Sequence, residues 1–593
     1  MTYRAPVADI AFALDHAAGF DPALAEGLFG DLTPDVVQAV LEEAGKFATD
    51  VLAPLNTVGD QHGAIFKDGA VITAPGWKDA YTAWSQAGWN GLAAPAKWGG
   101  QELPHAVNAA CVEMWNSAAM AFGLGPLLTM AGVDAIAAHG SEELQRTYLP
   151  KLISGEWMGT MQLTEPQAGS DVGALRTRAE RAPDGSYRIT GQKIFITYGE
   201  HDLTDNIIHM VLARLPDAPP GTKGISLFVV PKFLLNPDGS FGARNDARAH
   251  SIEHKLGIHA SPTCTMVYGD NGGATGFIVG EENHGMACMF TMMNQARLSV
   301  GLQGVAIAER ATQQALAYAR ERKQGRSTSQ SGAGSSAIIA HPDVKRMLLT
   351  MRALTRAARA LCYATAVALD RAQRSSDEAA RTAAHQRASL LTPIAKGFAT
   401  DIGIEVASLG VQVHGGMGYI EETGAAQHYR DARIAAIYEG TNGIQAIDLV
   451  TRKLPLAGGG VVKSYLGEIR RTIAALDAAN TGAFGWAGVR LEEAASSLER
   501  ATQWLLGNQH NDLDTALAGA TPYLRLFALT AGGALLAQEA LAALRIAGNG
   551  ADAAARVAIA RFFAENLAVQ APALERTVIE GADGVNNAEA ALA

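Results

Sequence analysis

Apolar residues recur at three- and four-residue spacing over residues 34–51 and again over 107–120, so the chain up to about residue 156 reads as a block of amphipathic helices. From Met158 onward the pattern changes to short apolar runs: YRITG from Tyr187, FIT from Phe195, IIHMVLA from Ile207, ISLFVV from Ile225 and TCTMVY from Thr263. Turns of Gly, Asp and Pro separate these runs, which predicts a β-rich insert. Helical spacing returns near Met289 and continues through 304–322, 344–370 and 389–409. Between the first two of these stretches lies GRSTSQSGAGSSA, starting at Gly325, a composition that predicts an exposed loop. Pro455 and the glycines at 458, 459 and 460 then interrupt the pattern, and an Ala-rich helical stretch runs from 461 to 593.

The expected organisation is a helical domain over 1–157, a β domain over 158–288, a second helical domain over 289–455 and a further helical domain over 456–593. A chain of 593 residues is long enough for several cores and for a large cofactor.

Composition narrows the function classes. With 48% hydrophobic and 18% charged residues the chain is an ordinary globular sequence, and a net charge of −11 argues against a general binder of nucleic acid or of anionic membranes. From Leu456 onward there are 10 Lys and Arg against 14 Asp and Glu, so the last stretch is no DNA-binding appendage either. The first twenty residues lack a basic start followed by an apolar core, and the cytoplasm is the expected compartment. No apolar run reaches the ~20 residues needed to span a bilayer, since Gln538 and Glu539 interrupt the Ala-rich stretch 527–544. Cys111, Cys264, Cys288 and Cys362 form no CxxC pair, which fits core packing in a reducing compartment.

Four segments carry candidate chemistry: MQLTEPQAGSDVG from Met161, FIT at 195–197, QVHGGMGY from Gln412 and YEGTN from Tyr438. Taken singly, each has a plain structural reading. TEP and GSD serve as turns that cap strands, HGGMG as a glycine turn, and Glu439 as a carboxylate at a helix N-terminus beside a Gly-Thr-Asn cap. Taken in order and spacing, the four resemble the acyl-CoA dehydrogenase family over about residues 40–455.

The resemblance implies a mainly α fold with an inserted β domain: an α-domain, a β-barrel domain and an α-bundle, here followed by an appended C-terminal helical domain. It implies FAD-dependent α,β-dehydrogenation of an acyl-CoA thioester to the trans-2-enoyl-CoA, with Glu439 taking the α proton while the β hydride goes to flavin N5. A free Glu, with a pKa near 4.3, is a weak base, and an apolar site beside Ile437 and Tyr438 would raise it. By resemblance, Met161, Leu163, Thr164, Gly169 and Ser170 lie on the pyrimidine and pyrophosphate side of the flavin, while Phe195, Ile196 and Thr197 line its other face. Arg322, Gln412, Gly415 and Gly416 would reach the FAD of a neighbouring subunit, while Thr441, just after Glu439, would bind the cofactor diphosphate. Ser170, Asn294, Arg297, Glu439 and Gly440 would contact the substrate, the Glu439 amide helping to polarise the thioester carbonyl. The implied partners are an acyl-CoA substrate, an electron-transfer flavoprotein as acceptor and a second copy of the chain, giving a homodimer.

The chain departs from the family pattern at three places. Where some members carry a base one residue before the substrate-side arginine, this chain has Ala296, which leaves Glu439 for that role. The common RKQFG is Arg322, Lys323, Gln324, Gly325 and Arg326 here, without the aromatic residue, and the usual Asp three residues before Arg297 is Asn294. IFITYGEHD and the extra C-terminal stretch resemble the branch that includes 3-methylmercaptopropionyl-CoA dehydrogenases and broad-range fatty acyl-CoA dehydrogenases. Two rivals remain open: an acyl-CoA oxidase that hands electrons to oxygen, and a non-catalytic paralogue acting as a binding protein.

Other motifs carry less. GNGADA at Gly548 follows helical sequence instead of a strand, so it reads as a helix-ending glycine and not as a dinucleotide fingerprint. His250, His254 and His259 lack companion ligands at metal spacing, and no GxSxG elbow is present.

Overall fold

The computed structural model describes residues 3–328, 334–479, 482–509, 511–548 and 550–593, apart from the Asn294 side chain. Residues 329–333 of the predicted 325–337 loop, Asn549 of GNGADA and the Asn294 side chain therefore lie outside the described residues. The chain forms two compact units: Met1–Lys46 with Pro104–Ser117 and Arg297–Ala593, and Phe47–Leu103 with Ala118–Ala296.

The second unit holds the β structure. Tyr187–Thr197, Ala274–Val279, Ile225–Pro231, Ile207–Arg214 and Arg178–Arg181 pair in that order, and Arg178–Arg181 pairs back onto Tyr187–Thr197, closing a small barrel. Met158–Gln162 runs parallel to Ile207–Arg214, and Thr263–Tyr268 with Ala247–Ile252 extends the sheet beyond Tyr187–Thr197.

Both faces of the central strands are buried, each in its own cluster. Ile208, Met210, Leu212, Leu227 and Val229 pack with Leu127, Leu128, Ala131, Ile136, Leu149 and Leu152 from helices. Val211, Ala213, Phe228 and Val230 turn the other way, onto Ile189, Ile196, Met266 and Tyr268. Burial on both sides explains why IIHMVLA and ISLFVV are continuous apolar runs instead of alternating ones. Six strands escaped the sequence pattern, among them Met158–Gln162, Arg178–Arg181 and Ala274–Val279, as did the hairpin Ile65–Lys67/Ala70–Ile72 inside the helical N-terminal block. They are short or polar, and pairing with a longer strand, not periodicity, makes them strands.

The first unit is helical. Pro342–Arg374 and Glu378–His414 lie along each other, and Gly304 faces Ala399 so closely that a Cβ there would sit 2.1 Å from the Ala399 carbonyl oxygen. Only glycine permits that approach of two helices. The appended helices, including Gly460–Ala478, Ala487–Asn508 and Ala520–Ala547, belong to this same unit, with Leu524 packed on Gly397. Gly548, at φ 57°, ends Ala520–Ala547, and a further helix starts at Ala551, which accounts for GNGADA.

One expectation is corrected. His105–His139 and Ala520–Ala547 are long and apolar enough to cross a membrane by length and composition, although 83% and 89% of their most apolar windows are buried inside the protein. Gln538 and Glu539 do not break the second of these helices: Glu539 accepts a 2.8 Å bond from Arg556, so its charge is satisfied within the fold.

Candidate functional site

The YEGTN segment forms a turn that only a strongly tethered backbone would adopt. Glu439 has φ 55° and Gly440 φ 83°, two successive left-handed residues of which the first is not glycine. Such a conformation costs on the order of 1–2 kcal/mol for a residue with a Cβ, and persists where its surroundings hold it. Here the restraints are visible. Gln445 Nε2 donates to the Glu439 and Gly440 carbonyls at 3.3 and 3.2 Å, and Lys396 Nζ donates to Gly440 O at 2.8 Å. Thr441 caps the helix Asn442–Asp448 by accepting from the Ile444 amide at 3.2 Å. Asn442 is fixed in turn by donation to Gly397 O, Thr400 Oγ1 and Asp401 Oδ1.

The Glu439 carboxyl is half-buried, and desolvation raises it above the usual carboxylate range, with the Arg297 and Lys396 cations opposing that rise. Arg297 is buried, 3.6 Å from Asp448, and its Nε has no hydrogen-bond partner among the described residues. Tyr438 is anchored through its hydroxyl, which bonds Gln303 Oε1, and Gln303 donates to Asn116 at 3.3 Å. The arrangement offers a carboxylate of raised proton affinity on a rigid turn, beside buried cations.

Within the β-bearing unit, TEPQAGSD and FIT come together at strand ends. The Ile194 amide donates to Thr164 O at 2.9 Å, and Lys193 Nζ donates to Leu163 O at 3.0 Å. Glu165 is buried and organises the turn: it accepts from the Arg176 and Thr177 amides at 2.6 and 3.0 Å and from Lys193 at 2.8 Å. Phe195 is 60% exposed at φ 59°, a large apolar side chain held toward the surface by a left-handed backbone. Tyr198, at φ 51°, is buried, with its hydroxyl donating to Ala121 O and accepting from Trp77 Nε1.

The other sequence-predicted residues fall into place unevenly. Thr164 and Thr197 are half-buried at the strand ends, Gly169 and Ser170 are exposed, Met161 is buried and Leu163 partly so. Ile196 points its side chain into the core. In the first unit Gln412, Gly415, Gly416 and Arg322 are exposed; Gly415 has φ 61°, and a Cβ on either glycine would meet nothing within 4 Å. Arg297, Glu439, Gly440 and Thr441 are brought into one neighbourhood by Lys396, Gln445 and Asp448. Asn294 is in the helix Gly285–Glu321 and Ala296 is buried there. Reasoning from sequence missed Lys396, Gln445, Gln303 and the Glu165–Lys193 pair. A lone lysine in the apolar run PIAKGFA was the one available signal for Lys396.

Four family models match consecutive stretches: acyl-CoA dehydrogenase N-terminal domain over 35–156, middle domain over 160–271, C-terminal domain over 283–454, and acetyl-CoA dehydrogenase C-terminal like over 465–589. The chain belongs to the acyl-CoA dehydrogenase family. It is 48% identical over 588 residues, 99% of both chains, to 3-methylmercaptopropionyl-CoA dehydrogenase of Ruegeria pomeroyi. Among solved structures it is similar to the acyl-CoA dehydrogenase of Bacillus anthracis complexed with FAD (22% identity, 95% of this chain and 91% of that one, TM-score 0.73). It is also similar to a chain in the structure of the electron transferring flavoprotein of Acidaminococcus fermentans (27% identity, 71% and 98% covered, TM-score 0.57).

Acyl-CoA dehydrogenases bind FAD, and the residues of this family member fit it. Exposed Phe195 supplies an apolar surface for a ring, Thr164 and Thr197 supply hydroxyls at strand ends, and the unobstructed backbone of Gly169, Gly415 and Gly416 suits close approach to phosphate.

Proposed function

We propose that this acyl-CoA dehydrogenase family enzyme removes two hydrogens from the α and β carbons of an acyl-CoA thioester, giving the trans-2-enoyl-CoA, with Glu439 taking the α proton. Bound FAD supplies the acceptor for the β hydride. The observation that carries this reading is the half-buried Glu439 carboxyl, raised by desolvation and fixed on a left-handed turn. A base must be both aimed and matched in pKa to its working pH, and this residue has the restraints for the first and the environment for the second. The Glu439 amide helps polarise the thioester carbonyl, and Gly440 contacts the substrate beside it. Arg297, beside them, orients the substrate.

Met161, Leu163, Thr164, Gly169 and Ser170 with Phe195, Ile196 and Thr197 hold the flavin ring, and Arg322, Gln412, Gly415, Gly416 and Thr441 hold the adenosine and diphosphate. Arg322, Gln412, Gly415 and Gly416 serve a partner copy's cofactor in a homodimer, a reading supported by Met417, Tyr419 and Ile420, which stand exposed beside Gly415 and Gly416. The division into domains at 157/158, 288/289 and 455/456 belongs to the same proposal. The substrate is 3-methylmercaptopropionyl-CoA or a fatty acyl-CoA, the first favoured because the relative so named matches along the whole chain. The acceptor is an electron-transfer flavoprotein, supported by the similarity to a chain of the A. fermentans structure.

The test is anaerobic titration of the flavin-loaded protein with a panel of acyl-CoAs, for wild type and Glu439→Gln. Bleaching of the wild type by some thioesters, and of the variant by none, is the expected result. A variant that bleaches at the wild-type rate removes Glu439 from the role. Rapid oxygen consumption with the same thioesters would instead make the enzyme an oxidase.

A further inference from the structure

Lys396 is fully buried within the helix Glu378–His414, an unusual place for a lysine. Its ammonium donates at 2.8 Å to the Gly440 carbonyl and at 2.9 Å to Asn442 Oδ1, the residues one and three positions past Glu439. The Gly440 carbonyl already receives a donor from Gln445. A neutral amide could fill the remaining lone pair at far lower desolvation cost than an ammonium, so hydrogen bonding alone does not account for a buried cation. The charged groups facing Lys396 are Glu439, Asp401 and Arg297; Arg297 is engaged with Asp448, and Asp401 accepts from Asn442.

We propose that Lys396 is the positioning residue of Glu439: its two hydrogen bonds hold the left-handed Glu439–Gly440 turn, and its charge keeps the carboxyl beside it ready to act as a carboxylate. The proposal rests on Glu439 being the base. Two observations fit it. The strained φ of Glu439 needs restraint from outside the turn, and Lys396 supplies it from a different helix, 43 positions earlier in the chain than Glu439. Burial also lowers Lys396 to about 7, with Glu439 and Asp401 opposing the drop, so lysine and carboxyl influence one another's protonation in the working pH range.

The experiment compares wild type, Lys396→Met, Lys396→Gln and Glu439→Gln as flavin-loaded enzymes. It reads flavin content, KM, the anaerobic rate of flavin reduction against pH, and the carboxyl infrared band that Glu439→Gln removes. For Lys396→Met, with flavin content and KM near wild type, the reduction rate falls about tenfold or more. The pH midpoints of both the rate and the infrared band rise by about one unit, as expected when a nearby cation is lost. Lys396→Gln, which keeps a donor without the charge, recovers part of the rate but retains the alkaline shift. The proposal is overturned if both midpoints stay at the wild-type value, or if the rate falls only in proportion to lost flavin. If Lys396→Met does not fold, the midpoints of Lys396→Gln decide by the same rule. A Glu439→Gln enzyme that reduces flavin normally defeats the base assignment itself, an outcome distinct from unchanged Lys396 variants.

Discussion

The Lys193 ammonium and the Glu165 carboxylate meet at 2.8 Å, both shielded from solvent, at the start of the segment that carries Thr164 and Ser170. Glu165 also accepts two backbone amides, whereas among the described residues Lys193 has one other partner, the Leu163 carbonyl. Removing Glu165 thus strands a buried ammonium, while removing Lys193 leaves a carboxylate that is still solvated by amides. Glu165→Gln is expected to cost about 3–5 kcal/mol and Lys193→Met measurably less. Denaturant unfolding of the two variants checks the order, and weaker flavin retention is expected to follow the same order.

That pair also sets an acid dependence. Burial would raise Glu165, but Lys193 and the Arg176 and Thr177 hydrogen bonds outweigh it and hold the carboxyl at about 2. Because the folded value lies below the unfolded 4.5, its stabilisation is complete above pH 4.5 and is lost as pH falls toward 2. Wild type should lose thermal stability over that window more steeply than Glu165→Gln.

Three histidines act over a higher window. His201, His209 and His428 are each lowered to about 3, chiefly by burial and secondly by nearby cations, Lys232 for the first two and Arg310 for the third. The unfolded chain takes up these protons near 6.5 and the folded one does not, so stability declines as pH falls from 6.5 toward 3. His428, which bonds Gln314 at 2.8 Å, offers the check: His428→Asn should flatten the slope of melting temperature against pH between those limits.

Gly440→Ala tests the turn. At φ 83° an alanine is strained, and its Cβ would lie 2.9 Å from Gln445 Nε2, displacing the donor that holds the Glu439 and Gly440 carbonyls. We expect a stability loss of about 1 kcal/mol but a fall in flavin reduction rate of at least tenfold, since the carboxyl moves with the turn. Equal small losses in both would show that the turn does not aim the carboxyl.

In the helical unit, Arg359 donates to Glu113 at 2.9 and 2.6 Å and to Glu309 at 2.9 Å, and Tyr363 adds a 2.6 Å bond to Glu113. Arg359→Met takes the cation from both carboxylates, leaving Tyr363 on Glu113 and Gln313 on Glu309, and should destabilise by about 3–5 kcal/mol. Adding Glu113→Gln to it should restore part of the loss, a non-additivity that a double-mutant cycle measures directly.

The sequence by itself determined the helical blocks, whose period of 3.6 is written in side chains that must face a core, and the long strands, whose apolar runs have both faces buried. It also singled out Glu439 as the candidate base, because a Glu-Gly-Thr-Asn turn in order after the other motifs is a local feature. Tertiary structure decided the rest. Arg178–Arg181 and Ala274–Val279 become strands only because the barrel must close. Ala520–Ala547 keeps Glu539 in an apolar helix because Arg556 lies 17 positions further along the chain to neutralise it. The restraints on the Glu439 turn also belong to the fold, since Lys396 and Gln303 reach it from other helices, Gln303 held in turn by Asn116. Periodicity records which face of an element is buried; it does not record which distant side chain will satisfy a strained carbonyl there, and that partner exists only once the helices pack.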